Sequence, residues 1–257
     1  MENALLVGLS RQMALTHELD VIANNVANID TTGYKADNAL FSQYLMPRAS
    51  DQQFTGNDRR VNYVQDRASW IDMSPGALQH TGNPLDVAID GPGYLTVQTP
   101  RGQRYTRSGA LAINGSGQLV TGEGDTVIGD GGPITFQPTD HDVVISAHGV
   151  ISVREGTSQA DSPRGRLQLA AFDQSQRLQK DGNSTFMAPN GVNPNPVPAN
   201  TRVVQGAIEK SNVNGVAAMA RLIELTRSYT DIANILQQQS DQRRSALSQL
   251  SQTPNSS

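Results

Sequence analysis

The chain has 257 residues, 37% of them apolar and 5% aromatic, a net charge of -4 and no cysteine. Apolar usage below the ~45% of a compact enzyme points to an elongated molecule, or to one that buries surface against partners. The mild acidic balance argues against nucleic acid or an anionic membrane as partner, and the absence of cysteine excludes disulfides and thiolate metal sites.

The opening "MENALLVGLSRQM" places Glu2 where a secretory signal carries Lys or Arg, and its apolar core is short. A cleaved signal peptide is not expected, and no apolar run approaches the ~18 residues of a membrane span. The expectation is a protein that stays in the cytoplasm or leaves by a route that cleaves nothing, without membrane insertion.

Helical periodicity comes first. Leu15, Leu19, Ile22, Val26 and Ile29 recur at spacings of 4, 3, 4 and 3, a seam about two heptads long, and Gly33 is a natural stop for it. At about 100° per residue, Asn25 lies on the flank of this seam, while Asn24 and Asn28 stack on a second stripe beside Val21. Asparagine is a middling helix former that competes for the backbone. A solvated face would carry Glu and Lys, whereas amides that both donate and accept suit packed contacts needing hydrogen bonds without charge. The asparagine face therefore either meets solvent or touches a neighbouring subunit. Tyr34 is expected to pack against the segment that follows.

Residues 37–75 show no clean period and read as an irregular extended linker with one short strand pair. The period then changes to two. "PLDVAIDG", "GYLTVQT", "QRYTRSG", "ALAINGSGQLVT" and "DVVISAHGVISVRE" read as short strands, separated by turns at Asn114-Gly115, Gly122-Glu123-Gly124 and Gly129-Asp130-Gly131-Gly132. "RLQLAAFD" and "STFMAPN" add two more, and "PNGVNPNPVPAN" (189–200), with four prolines, is an extended connector to a C-terminal helix. In that helix Leu222, Leu225, Tyr229, Ile232 and Leu236 recur at spacings of 3, 4, 3 and 4, and Ala218 extends the series backward. Ser211 and Asn212 are candidate N-caps, with Asn214-Gly215 leaving the start open. The tail "SQTPNSS" is expected to be disordered.

The fold class is thus α+β: an N-terminal helix in 1–36, a linker in 37–75, a β-rich middle domain in 76–204, and a C-terminal helix with its tail in 205–257. A helix of ~15 residues is marginal alone in water. The two ends are therefore expected to pair as a coiled-coil-like terminal domain of an elongated molecule.

No catalytic, cofactor or metal site is expected. The glycine loops match neither G-x-x-x-x-G-K-[ST] nor a helix-opening G-x-G-x-x-G, so they read as turns. Asp140, His141, Asp142 and His148 lack metal-ligand spacing and read as loop residues. Asp86 and Asp90 share a strand face at ~13 Å, beyond the ~6–9.5 Å of a glycan-hydrolysing pair, and read as surface carboxylates.

"LDVIANNVANIDTTGYK" (19–35) resembles the N-terminal signature of bacterial flagellar rod and hook proteins. "GNPLDVAIDGPGYLTVQTPRGQRYTRSGALAINGSGQLVTGEGDTVIGDGGPI" (82–134) resembles their shared β-domain, and "QGAIEKSNVNGVAAMARLIELTRSYTDIANILQQQSD" (205–241) their C-terminal helix. The opening is most similar to the proximal-rod branch; residues 140–200 match loosely. The resemblance implies a structural axial subunit of the basal body, exported unfolded through the flagellar type III apparatus and assembled in the periplasm. Its implied partners are other rod proteins and copies of itself, as well as the export apparatus. The terminal helices are implied to lie innermost, and Asn24, Asn25, Asn28, Gly33 and Tyr34 become candidates for contact between subunits. Two alternatives are a distal-rod or short hook-type protein and, from another class, a periplasmic glycan-binding or glycan-cleaving β-domain.

Overall fold

The computed structural model describes residues 2–46, 61–173, 178–182, 184–189 and 191–251. The tail beyond Ser251 and residues 47–60 of the expected linker lie outside the described residues. The chain is β-rich with a long helix toward each end and divides into two units. One comprises Met1–Ala27, Asp37–Asp72 and Asn214–Ser257; the other comprises Asn28–Ala36 and Met73–Val213.

The first unit contains α1 (Glu2–Ala27), the strands β1 (Asp37–Met46) and β2 (Val61–Ile71), and α2 (Gly215–Ser251). The sheltered stripe of α2 runs through Ala218, Leu222, Leu225, Tyr229, Ile232 and Leu236, and continues through the polar Gln239 and Arg243. This is the repeat the spacing anticipates, because a helix covered along one side shelters one residue every three or four. α1 packs against α2 and against both strands. Covered on more than one side, it buries Ala14 and Asn25, while Leu15, Leu19, Ile22 and Val26 are half-buried. Gly8 marks close helix contact, since a Cβ there would lie 2.7 Å from Leu236 Cδ2.

The helix ends depart from expectation. α2 is capped by Asn214, whose Oδ1 accepts the Ala217 N–H at 3.1 Å and whose carbonyl accepts that of Ala218 at 2.9 Å. α1 stops at Ala27, so Ile29 sits outside it and Gly33 is not its terminator. Asn28 diverts the chain: its carbonyl accepts the Thr31 N–H at 3.2 Å and its Oδ1 the Thr31 hydroxyl at 3.1 Å. Such local bonding competes with helix continuation.

Part of the expected irregular linker is a long antiparallel hairpin, with Asp37 opposite Ile71 and Met46 opposite Val61. A bulge between Leu40 and Phe41 shifts the register. Leu40 lies opposite Ala68 and Phe41 opposite Asp66, so the extra residue, Arg67, belongs to β2, and an extra residue interrupts a strand's period-two signal.

The second unit is antiparallel. Its main sheet runs through Gln179–Lys180, Thr185–Met187, Gly102–Thr106, Tyr94–Thr99, Thr126–Gly129, Leu119–Thr121 and Leu111–Ile113. A three-stranded sheet joins Asp140–Ile145, Val150–Glu155 and Asp161–Arg166. The last of these was not anticipated. It is an edge strand of exposed and half-buried residues containing Pro163 and Gly165, residues that depress strand signals and are tolerated at edges. Val87, Ile89, Leu95, Val97, Leu119, Val127, Ile151 and Val203 lie in one buried core.

Two short pairs close this unit: Val87–Asp90 with Arg202–Gln205, and Leu78–His80 with Ala207–Glu209. Residues 205–214, grouped with the C-terminal helix by sequence, therefore lie in strand, a turn at Gly206 and irregular backbone. Asp86 also corrects the sequence reading: it is buried, and its carboxylate accepts the Thr81 hydroxyl at 2.6 Å and the Asn83 amide at 3.0 Å. Asp90 is exposed.

Candidate functional site

Two features of this architecture are candidates for function: the outward faces of the helical unit, and a buried ionic cluster inside the β unit.

On α2, Val216, Met219 and Ile223 are exposed, Val216 at 84%. At about 100° per residue they fall on one arc, turned well away from the stripe through Leu225. On α1, Leu9 and Met13 are exposed four residues apart, which places them on one face. On the hairpin, Trp70 and Leu40 are both exposed. Their register, Asn38 opposite Trp70 and Leu40 opposite Ala68, makes them diagonal neighbours on one face. Such clustered apolar exposure differs from the scattered single residues normal on a monomer.

Inside the β unit, Lys35, Glu209 and Arg107 are buried together. Lys35 Nζ donates to Glu209 Oε1 at 2.5 Å and to the Ser74 carbonyl at 2.7 Å. The same Oε1 accepts the Gly76 N–H at 3.0 Å, while Oε2 accepts Arg107 Nη1 at 3.1 Å. Arg107 also donates to the carbonyls of Ile89 at 3.0 Å and Gly91 at 2.8 Å, and its guanidinium lies 5.1 Å from the Tyr94 ring centroid. Burial raises the Tyr94 phenol above its ordinary pKa, partly opposed by the Arg107 charge. Gly76 is required by close approach, since a Cβ there would lie 1.9 Å from the Lys210 carbonyl oxygen. A buried ion pair contributes little net stability against an apolar replacement, but removing one partner typically costs ~3–5 kcal/mol.

The same cluster joins the segments before β1 and before α2. Gly33 N–H donates to the Glu209 carbonyl at 2.8 Å, and Ala36 N–H to Asn212 Oδ1 at 2.8 Å. Asn212 Nδ2 reaches the Ser74 carbonyl at 3.1 Å. Lys180 Nζ lies 3.8 Å from the Tyr34 ring centroid.

The structure distributes the sequence-derived candidates as follows. Leu225 is buried; Leu15, Leu19, Ile22, Val26, Ile29, Leu222, Tyr229, Ile232 and Leu236 are half-buried. Tyr34 is fully buried, and Gly33, at φ +69°, is pressed onto the Arg107–Ser108 backbone. Asn25 is turned inward: its Nδ2 donates to the Asp37 carbonyl at 2.7 Å and its Oδ1 accepts the Asp37 N–H at 2.9 Å. These three are engaged within the chain; of the other two asparagines, Asn24 is exposed and Asn28 is half-buried and holds Thr31. Sequence reasoning missed Lys35, Arg107, Glu209 and Asn212. The available signal was a charged residue directly following apolar ones, "GYK" and "AIE", where an unpaired charge would be costly to bury.

Three family models match successive parts of the chain: "Flagella basal body rod protein" over 5–35, "Flagellar hook protein FlgE/F/G D1 domain" over 88–153, and "Flagellar basal body rod FlgEFG protein C-terminal" over 204–250. A flagellar basal-body rod protein FlgF of Caulobacter vibrioides is 35% identical, covering 97% of this chain and 98% of that protein. The chain belongs to the flagellar basal-body rod protein family. FlgF of Escherichia coli is 33% identical over 89% of this chain and 90% of its own length; FlgG of Agrobacterium fabrum is 33% identical over 88% and 91%. In this rod protein the N-terminal match ends on the buried Lys35, and the C-terminal match contains Glu209 and all but the last residue of α2.

Proposed function

We propose that the chain is a non-catalytic axial subunit of the flagellar rod, in its proximal part. It is exported through the type III apparatus and assembled in the periplasm with other rod proteins and copies of itself. α1 and α2 act as a coiled-coil-like inner pair. Leu15, Leu19, Ile22, Val26, Leu222, Leu225, Tyr229, Ile232 and Leu236 supply its seam, and Asn24 and Asn28 supply contacts to neighbours. The observation carrying this reading is the second apolar arc of α2, Val216, Met219 and Ile223, exposed although the helix already packs its other stripe. A subunit that stacks needs such a face; a solitary monomer does not.

Ile223→Glu in the chromosomal copy tests it. The expected outcome is a folded, exported protein that fails to enter the rod, with motility lost. Normal swimming would sink the inner-face assignment. A distal-rod position is the second reading, and labelling the subunit along purified basal bodies separates the two.

A further inference from the structure

We propose that Lys35, Glu209 and Arg107 form a clasp that closes in a fixed order, holding residues 33–36 in the β unit only after strand Ala207–Glu209 has paired with Leu78–His80. Three groups that hold residues 33–36 reside on one short C-terminal stretch. The Glu209 carboxylate takes Lys35 at 2.5 Å, the Glu209 carbonyl takes the Gly33 N–H at 2.8 Å, and Asn212 Oδ1 takes the Ala36 N–H at 2.8 Å. The return contact, Asn212 N–H to the Tyr34 carbonyl, is 3.4 Å. The strand register, Glu209 opposite Leu78, sets the carboxylate against the Gly76 N–H. Without that pairing Lys35 would enter a site lacking its counter-charge, which a buried ammonium does not tolerate.

The order follows from Arg107. Its guanidinium is held by the Ile89 and Gly91 carbonyls, and it meets the Glu209 oxygen that Lys35 does not use. Glu209 therefore has a counter-charge and a backbone donor before Lys35 arrives, whereas the Lys35 ion pair is made with Glu209 itself. The C-terminal strand can close first; the N-terminal segment closes onto it. The clasp lies wholly within the β unit.

Full-length Lys35→Met tests the order by hydrogen–deuterium exchange, because it leaves the Glu209–Arg107 pair intact. Exchange at Gly33 and Ala36 is expected to rise at least tenfold, while Tyr94–Thr99 and Ala207–Glu209 stay within twofold of the unaltered chain. Glu209→Gln is expected to raise exchange in both 33–36 and 207–210. Unchanged protection of 33–36 in Lys35→Met would overturn the clasp. Equal loosening of 33–36 and 207–209 in that variant would overturn its order. Should Glu209→Gln not fold, the Lys35→Met comparison decides alone.

Discussion

The helical unit and the β unit bury themselves differently. In the β unit, Val97, Leu119, Val127 and Ile151 are fully buried, and its charged cluster is sealed with them. In the helical unit, among the described residues, Leu225 is the one large apolar side chain that is buried, with small Ala14 and polar Asn25 buried less completely. Meanwhile Met13, Val216, Met219 and Ile223 are exposed. The β unit completes its core within its own strands. The helical unit has apolar surface left over, as expected of an element that gains burial from neighbours.

The sharpest way to break this contrast is at Leu225. Leu225→Asp removes the best-buried seam residue and inserts a charge. Truncation alone costs ~2–5 kcal/mol, and the charge adds to that. Circular dichroism should show loss of helical signal with the β signal retained, and the strain should not swim. Retained helix content would mean that the seam is not what orders the pair.

Asn25→Ala should have a smaller effect, ~1–3 kcal/mol. It leaves the Asp37 N–H and carbonyl without the amide that bridges them. Faster exchange at the start of β1, with no change in the β unit, is the expected readout; an unaltered rate would show that the bridge is not holding β1.

The mildest effect is acid sensitivity confined to the β unit. Hydrogen bonds from Arg164 hold the Asp140 carboxyl below the usual carboxylate range, opposed by burial and aided by the Gln137 N–H. The unfolded chain takes up this proton first as pH falls. Stability from Asp140 is therefore complete above the ordinary carboxylate pKa and lost as pH drops through the lowered folded value. Asp140→Asn should flatten that part of the acid-unfolding profile, with helical stability unmoved; a profile still as steep would reject the assignment.

Much of this was legible locally. The seam of α2 could be read because a helix sheltered along one side repeats its apolar residues at a nearly constant angle. The individual strands around 87–121 could be read because alternation and glycine turns are short-range. The hairpin could not, because the extra residue Arg67 interrupts the alternation of β2. The end of α1 was misplaced because Asn28 and Thr31 turn the chain before the glycine that looked like a stop.

By itself the sequence determined the two long helices, the β-rich middle and kinship with the rod family, since periodicity and motif order are properties of neighbouring residues. Only the tertiary structure decided that Asn25 and Tyr34 face inward and that Lys35 meets Glu209 across a separation of 174 residues. A buried charge selects its partner through space, at a distance set by strand register and backbone approach, and neither quantity is written in the spacing of residues along the chain.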